Sequence, residues 1–278
     1  MIPIVSAFKI SYLQELNERQ KYMVSIFDSY EFNQNLFFPR PDNSVCPSGA
    51  EDIFVEVENN CKLHIRHYVS ERAVFSILFF HGNGEVISDY DDIAKYFKVL
   101  GCDFLVCDYR GYGKSDGIPS LRSTLIDASI LYRHLIDNNL LKKNVCVMGR
   151  SLGSAPAIEI CSRFSTITCC VIESGYADPI PLVERRGLHI TNITAEENTT
   201  FSNSEKIKSL KCSILIMHGA EDNLINPSEA RVNYKNACSI NKELAILKGV
   251  GHNDMMMAHD NEYFSILSTY FQRHFHNS

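Results

Sequence analysis

The stretch VCVMGRSLGSAPAIEICSRF, residues 145–164, places a Gly-x-Ser-x-Gly motif between two segments of different character. An apolar run typical of a buried strand ends at Met148, and a helix-like segment follows the motif. A nucleophile elbow needs a strand that ends at the first glycine and a helix that begins at the serine, because this sharp turn pushes the serine Oγ out of the sheet. A β-carbon at either glycine would collide with the neighbouring strand or helix. We therefore interpret Ser151 as a candidate nucleophile.

A second copy of the motif, GKSDG at residues 113–117, has a different context. It lies several residues after the strand-like run FLVCDY, and the following residues 116–119, DGIP, are typical of a turn. A motif of this kind counts only in the right structural context, so we interpret Ser115 as a loop residue. The segment is not a phosphate-binding loop either, since Asp108 stands where that motif requires its first glycine.

Short β-branched or aromatic runs alternate with amphipathic segments along most of the chain, which predicts βαβ units around a parallel sheet. The first two runs alternate like an antiparallel hairpin, and the other six are typical of buried strands. The strands are predicted at 53–58, 62–68, 74–80, 104–108, 145–148, 168–172, 213–217 and 244–247. Helices are predicted at 88–98, 121–137, 151–163, 227–237 and 260–274. The expected fold class is α/β, with a mostly parallel sheet of about eight strands and helices on both faces.

Two segments fall outside this alternation. Residues 1–50 are predicted to form an N-terminal helix and an extended arm packed on the domain, which itself spans 51–278. Residues 175–205 interrupt the pattern after the sixth strand, and a loop of that length is usually functional or disordered. Its apolar residues favour a small cap insertion over the site, and a plain surface excursion is the alternative. These residues are Leu182, Val183, Leu188 and Ile190.

Composition excludes several classes of function. A net charge of −6 without a long basic block argues against nucleic acid as a partner. No apolar run approaches the length of a transmembrane segment, which leaves peripheral membrane contact as the form of membrane association open to the chain. The N-terminus lacks the pattern of a signal peptide, so we expect a cytoplasmic protein.

The ten cysteines include no CxxC pair, and a zinc site is not expected. Five of them lie in strand-like runs, where a thiol serves as a small hydrophobe: Cys107, Cys146, Cys169, Cys170 and Cys212.

A serine nucleophile needs a base, and the base needs a carboxylate to orient it. In the order Ser, acid, His, the acid follows a late strand and the histidine follows the last one. The segments CSILIMHGAEDNLI and ELAILKGVGHND supply Asp222 and His252 at those places. Both side chains are then expected at the carboxyl edge of the sheet beside Ser151. Glu221 and Asp178 remain alternative acids.

An acyl-transfer site also needs two N–H donors for the oxyanion. One comes from the residue after the nucleophile and the other from the loop after the third strand, which predicts the backbone N–H groups of Leu152 and Asn83. That loop reads ILFFHGNGE, and glycines at 82 and 84 let its backbone approach a substrate closely. His81 stands at the strand end, and we expect it to brace the loop.

Five blocks in this order, ILFFHGNGE, DYRGYGKSDG, GRSLGS, HGAEDNLI and GVGHND, resemble the signature blocks of the α/β-hydrolase superfamily. They are most similar to the branch that contains membrane-associated eukaryotic protein depalmitoylases and uncharacterised bacterial relatives. The resemblance implies an α/β-hydrolase fold with Ser151 as nucleophile, Asp222 as acid and His252 as base. It also implies that Asn83 and Leu152 occupy the oxyanion positions.

The predicted function is that of a serine hydrolase that cleaves a carboxylic ester or thioester through an acyl-enzyme, without a cofactor or a metal. Its substrate would be a small acyl ester or an acylated protein, the latter making it a depalmitoylase-like thioesterase; a peptidase ranks third. A binding protein that keeps the fold and performs no chemistry is the rival from another class. Met255, Met256 and Met257 near the base either line an acyl pocket or pack as ordinary core.

Overall fold

A single sheet of eight strands forms the centre of the protein. A computed structural model describes residues 25–276 of the chain. The strands are β1 Ala50–Glu58, β2 Cys61–Tyr68, β3 Phe75–Phe80, β4 Cys102–Cys107, β5 Val145–Arg150, β6 Cys169–Glu173, β7 Ser213–Gly219 and β8 Lys242–Leu247. Their order across the sheet is β1-β2-β4-β3-β5-β6-β7-β8, in which β2 is antiparallel to both neighbours and the others run parallel. The prediction of about eight, mostly parallel strands is confirmed.

The topology creates one position suited to an active site. From β3 the chain crosses to β4 on one side, and from β4 it returns to β5 on the other side of β3. Successive connections therefore diverge at β3 and β5, and open α/β sheets bind ligands at the carboxyl ends of such strands. The loop after β3 carries Asn83 and the turn after β5 carries Ser151, so both lie at this point.

The α-helices fill the intervals between strands. They are α1 Tyr30–Leu36, α2 Ala94–Val99, α3 Leu121–Asp137, α4 Ser154–Arg163, α5 Ile180–Glu184, α6 Ala195–Phe201, α7 Asn203–Lys206, α8 Pro227–Asn236 and α9 Glu262–Phe271. Three predicted helices are partly replaced by other turns. The 88–98 region divides into the 3₁₀ turn Ile87–Tyr90 and α2, the 151–163 region starts with the 3₁₀ turn Ser151–Gly153, and α9 ends in the π-helical turn Gln272–His276.

Both faces of the sheet are covered. Along β3, Leu78 and Phe80 point to one apolar core and Ile77 and Phe79 point to the other, which is the two-residue period of a strand. All four side chains are buried, as expected for a central parallel strand. Helices α3, α4 and α8 contribute to the first core, and helices α2 and α9 contribute to the second. The expectation of helices on both faces is confirmed.

The described part of the N-terminal segment consists of the 3₁₀ turn Ile26–Asp28, helix α1 and an extended stretch that leads into β1. The rest of the predicted N-terminal helix lies outside the described residues. Ser29 caps α1 by accepting a hydrogen bond from the N–H of Phe32, and the aromatic ring of Phe32 is buried in the first core. Phe37, at the end of the helix, is buried in the same core.

The insertion at 175–205 contains helices α5, α6 and α7. Its side chains Val183 and Phe201 are buried in the first core, which anchors it to the domain. A capping box between Thr194 and Glu197 starts α6. That the insertion acts as a cap over the site, and that residues 51–278 form one domain, remain predictions. Within residues 25–276, no helix is long and apolar enough to cross a bilayer.

Candidate active site

The turn after β5 holds Ser151 in a strained backbone conformation. Gly149 and Arg150 are still paired with β6, so the strand continues two residues past the predicted end at Met148. Ser151 then adopts φ = +52°, in the left-handed region that residues with a side chain rarely occupy. Strain of this kind clusters at functional sites, where the surrounding structure enforces it. The turn sets the serine at the carboxyl edge of the sheet.

The two glycines of the motif allow close backbone packing around the serine. A Cβ built on Gly149 would lie 2.1 Å from the carbonyl oxygen of Gly153, and one built on Gly153 would lie 2.0 Å from the carbonyl oxygen of Phe80. Neither distance is compatible with a real side chain. The backbone of the turn therefore lies directly against the end of β3, beside the loop that follows it.

Gly153→Ala tests this packing. The methyl group would push the end of β3 away from the turn, and we expect the free energy of unfolding to fall by about 1–3 kcal/mol, as for other overpacked sites. Chemical denaturation measures the change. Gly187→Ala is the comparison, since Gly187 has φ = +89° and no atom within 4 Å of the added carbon, so this change has a backbone cost without a collision. Equal losses in the two variants would show that the collision at Gly153 is relieved cheaply.

Three of the predicted site residues come together in the structure. The Nε2 atom of His252 lies 3.0 Å from the Oγ of Ser151, and its Nδ1 lies 2.7 Å from the Oδ2 of Asp222. These residues are 101 and 30 positions apart in sequence, so the contacts depend on the sheet alone to bring them together. The Asp222 side chain is buried, while Ser151 keeps 8% of its surface exposed. The arrangement has the hydrogen-bonded order of a nucleophile, a base and an orienting acid.

The loop after β7 holds the Asp222 carboxylate in its charged form. Burial acts to raise the pKa of Asp222, but hydrogen bonds with His218, His252 and the N–H of Ile225 outweigh it and hold that pKa below its ordinary value. The Oδ1 atom accepts the N–H groups of Leu224 and Ile225 at 2.9 and 2.8 Å, which leaves Oδ2 to face His252. The carboxylate is therefore fixed in orientation as well as in charge.

The alternative acids occupy other positions. The Oδ1 of Asp178 accepts the N–H of Ile180 at 2.9 Å at the start of α5, and the structure brings it to a helix end instead of to His252. Glu221 lies next to Asp222 in the same loop, but no contact joins its side chain to His252 among residues 25–276. Of the three carboxylates considered, the structure pairs Asp222 with the imidazole.

The two predicted oxyanion donors belong to the turn that holds the serine and to the loop after the neighbouring strand β3. The N–H of Leu152 belongs to the first turn of a helix, where backbone donors lack intrahelical partners. The N–H of Asn83, in the loop after β3, has no hydrogen-bond partner among the described residues. Gly84 follows with φ = +75°, a conformation that favours glycine. Two backbone donors are thus left available at the carboxyl edge, next to the turn.

The chain is similar to known proteins in both sequence and fold. The family described as serine aminopeptidase, S33, matches residues 71–181. Pyrococcus furiosus esterase Pf2001 superposes with a TM-score of 0.72 at 20% identity, covering 86% of this chain and 99% of its own. Acetyl xylan esterase 1 from Thermoanaerobacterium superposes with a TM-score of 0.64 at 18% identity, covering 88% and 92%. The chain has the α/β-hydrolase fold.

Curated proteins similar in sequence to this chain include two α/β hydrolase domain-containing proteins. Human α/β hydrolase domain-containing protein 17B is 26% identical over 194 residues, which are 67% of this chain and 63% of that protein. The Caenorhabditis elegans α/β hydrolase domain-containing protein aho-3 is 28% identical over 187 residues, which are 65% of this chain and 53% of that protein. The matched region thus spans less than two thirds of either relative. The predicted resemblance to α/β hydrolases is confirmed.

Sequence reasoning missed the contacts between the N-terminal arm and the loop after β3. The side chain of Asn83 donates to the carbonyl of Leu36 at 2.7 Å and accepts from the N–H of Phe38 at 2.9 Å and from the hydroxyl of Tyr112 at 2.6 Å. The amide thus holds the arm, while its own backbone N–H remains the predicted donor. The position of Asn83 between two glycines was the only local signal of this role, because the partners of its side chain lie 29 to 47 residues away in the sequence.

Asn83→Ala separates these two roles, because alanine keeps the backbone N–H. The variant loses the three side-chain hydrogen bonds, and we expect the free energy of unfolding to fall by about 1–3 kcal/mol. We also expect kcat to fall between about 10- and 100-fold, since the N–H would no longer be held in place. Asn35→Ala is the matched control, because that amide donates to Glu31 one helical turn earlier. Unchanged kcat in Asn83→Ala would show that the arm does not position the loop.

Ser115 and His81 have bracing contacts. The Oγ of Ser115 accepts the N–H of His64 at 2.8 Å and so ties its loop to β2. The buried ring of His81 lies 2.8 Å from the carbonyl oxygen of Gly82 through Nδ1 and 3.1 Å from Asp108 through Nε2. Both arrangements agree with the loop and bracing roles expected from the sequence.

The methionines after the base divide between the core and the surface. Met255 is buried in the core formed with helix α9, whereas Met257 is 83% exposed.

Four of the five cysteines predicted in strand-like runs are buried, and Cys212 is partly exposed. Burial raises the pKa of the Cys107 and Cys146 thiols well above their ordinary value, as expected for thiols that act as small hydrophobes.

Proposed function

We propose that this hydrolase cleaves a carboxylic ester or thioester through an acyl-enzyme intermediate, with Ser151 as nucleophile, His252 as base and Asp222 as orienting acid. The observation that carries the proposal is the continuous relay of 3.0 and 2.7 Å from Ser151 through His252 to Asp222. A hydroxyl in that relay can lose its proton as it attacks, which an isolated serine cannot do at neutral pH.

The reaction follows from the positions of the atoms. The Oγ of Ser151 adds to the acyl carbon while Nε2 of His252 accepts its proton, and the tetrahedral intermediate places its negative oxygen toward the N–H groups of Asn83 and Leu152. The intermediate then collapses as His252 returns the proton to the leaving alcohol or thiol. Water repeats the sequence on the acyl-enzyme, which releases the acid and restores Ser151.

The charge on Asp222 supports this cycle. Because hydrogen bonds hold its pKa below the ordinary range, the carboxylate stays ionised at neutral pH. It accepts a hydrogen bond from the Nδ1–H group of His252, which leaves Nε2 free to act as the base. It also stabilises the imidazolium that forms when His252 is protonated.

The substrate class rests on the comparisons. The solved structures with this fold include proteins named as esterases, and the sequence blocks resemble the depalmitoylase branch. We therefore propose an acyl ester as the general substrate and an acylated protein as the specific one. The ten cysteines are all free, which supports a reducing, cytoplasmic location.

The test begins with a fluorophosphonate probe, which reacts with an activated serine. We expect the wild-type protein to be labelled at one position, with mass spectrometry locating the adduct on Ser151. An unlabelled wild-type protein would favour a binding protein on the same fold.

A substrate series then defines the acyl group. p-Nitrophenyl esters from acetate to palmitate, measured beside thioesters of the same acyl chains, give kcat/KM as a function of chain length and leaving atom. Faster turnover of long-chain thioesters would support the acyl-protein substrate, and short-chain ester preference would restrict the function to esterase activity. Cleavage of an aminoacyl p-nitroanilide in preference to both would contradict the proposal and indicate a peptidase.

A further inference from the structure

Arg150, the residue directly before the serine, has more partners than any role in the relay requires. It is the last residue of β5, and its side chain is only 9% exposed. All three nitrogens of its guanidinium are engaged with groups from three other segments of the chain. Arginine suits such a position because its planar fork presents five donors in fixed directions.

One side of the Arg150 guanidinium reaches residues 82–85 in the loop after β3, which we call the oxyanion loop because it carries the predicted donor of Asn83. The Nη1 atom of Arg150 pairs with Oε1 of Glu85. The other oxygen of that carboxylate accepts the N–H of Gly82 and the hydroxyl of Tyr90, both at 2.6 Å. Glu85 therefore closes the loop on itself through the residue that precedes Asn83. A Cβ built on Gly82 would lie 2.4 Å from Nη1 of Arg150, so the guanidinium packs directly on this backbone.

The opposite side of the fork reaches the loop of the base. The Nη2 atom donates to the backbone carbonyl of His252 at 3.1 Å and to Oδ1 of Asn253 at 2.9 Å. These contacts hold the backbone of the His252 loop and do not involve its imidazole. The same guanidinium thus joins the loop after β3 to the loop after β8, with the serine turn between them.

The third partner is a buried carboxylate. The Nε atom of Arg150 lies 3.2 Å from Oε1 of Glu173, and the hydroxyl of Tyr263 donates to Oε2 at 2.7 Å. Burial raises the pKa of Glu173, an effect that the Arg150 charge and the Tyr263 hydrogen bond oppose. A buried ion pair of this kind gives little net stability over apolar packing, so its more informative property is the fixed geometry it imposes.

We propose that Arg150 is a positioning residue that sets the oxyanion loop and the His252 loop at a fixed separation around Ser151. The inference deepens the proposed function, on which it rests. Arg150 does not contact the reacting atoms; it acts through Glu85 and Gly82 on the N–H of Asn83, and through the carbonyl of His252 on the imidazole.

Arg150→Lys and Arg150→Met test the proposal kinetically. Lysine keeps the positive charge but presents one nitrogen, which cannot replace three, and methionine removes the charge at similar length. We expect kcat to fall about 100-fold in both variants with KM changed by less than about threefold, the result of misplaced catalytic groups. Arg163→Met is the matched control: the Arg163 side chain is 60% exposed and pairs with Glu159 within the next helix, so the variant should keep wild-type kcat. Full rescue of kcat by lysine would overturn the proposal in favour of a purely electrostatic role.

A measurement that needs no turnover separates this inference from the proposed function. The Nδ1 proton of His252, in its short hydrogen bond to Asp222, is expected to give a low-field proton resonance in NMR spectra. We expect the resonance in wild type and Arg163→Met, and its shift or exchange broadening in Arg150→Met. An unchanged resonance together with normal kcat would overturn the positioning role. A wild-type protein that shows the resonance but hydrolyses no ester would contradict the proposed function and leave the Arg150 measurement intact.

A milder variant covers the case in which Arg150→Met does not fold. Asn253→Ala removes one contact of Nη2 and leaves the ion pairs of Arg150 with Glu85 and Glu173 in place. We expect it to fold and to lower kcat several-fold with KM unchanged. A folded Asn253→Ala with wild-type kcat and an unaltered His252 resonance would count against the proposal.

Discussion

Ser151→Ala is expected to lower kcat for ester hydrolysis by about 10⁶-fold and to abolish fluorophosphonate labelling. The loss is this large because the relay has no other hydroxyl at its end: Nε2 of His252 is bonded to the Oγ that the change removes. The backbone keeps its N–H donors, so residual catalysis would come from the oxyanion groups and binding alone. Alanine at φ = +52° is no more strained than serine, and the protein should remain folded.

The control is Ser115→Ala, at the other Gly-x-Ser-x-Gly motif. That hydroxyl bonds the N–H of His64, and its loss is expected to cost about 1 kcal/mol of stability while leaving kcat within threefold of wild type, an estimate based on the loss of one hydrogen bond. Steady-state kinetics and probe labelling of both variants measure the contrast. Labelling that survives in Ser151→Ala and disappears in a folded Ser115→Ala would reverse the assignment of the nucleophile.

Asp222→Asn is expected to lower kcat by about 10⁴-fold while the protein stays folded. The N–H groups of Leu224 and Ile225 both donate to Oδ1, so the carbonyl oxygen of the new asparagine will take that place. Its NH₂ group then faces Nδ1 of His252 and donates to it. The imidazole is forced into the tautomer with its proton on Nε2, where it can no longer accept the proton of Ser151.

Turnover near that of wild type in Asp222→Asn would move the acid to Glu221 or Asp178. Asp178→Asn is the matched control, because its carboxylate accepts the N–H of Ile180 and makes no contact with the relay among the described residues. It should retain kcat. We compare kcat of the two asparagine variants and verify folding by circular dichroism. The comparison shows which of the two carboxylates orients His252.

Local patterns were sufficient to predict the strands because each buried strand consists of a short apolar run that is visible in the sequence. The two glycines around Ser151 likewise predicted its sharp turn, because a side chain at either position would collide with its neighbours. The turn residues after Ser115 predicted that this serine lies in a loop. The boundaries were less exact: β5 continues through Gly149 and Arg150, since those residues pair with β6, and pairing depends on a neighbouring strand instead of on local composition.

The sequence by itself determined the α/β class, the order of the strands and helices along the chain and the turn that holds Ser151, because these depend on residues a few positions apart. Only the tertiary structure decided which carboxylate meets His252, that Asn83 holds the arm, and that Arg150 joins two loops. Those contacts join residues 29 to 103 positions apart, and their distances depend on how the sheet brings the strand ends together. No local pattern records that geometry, because hydrogen bonds between distant side chains form only after the strands have paired.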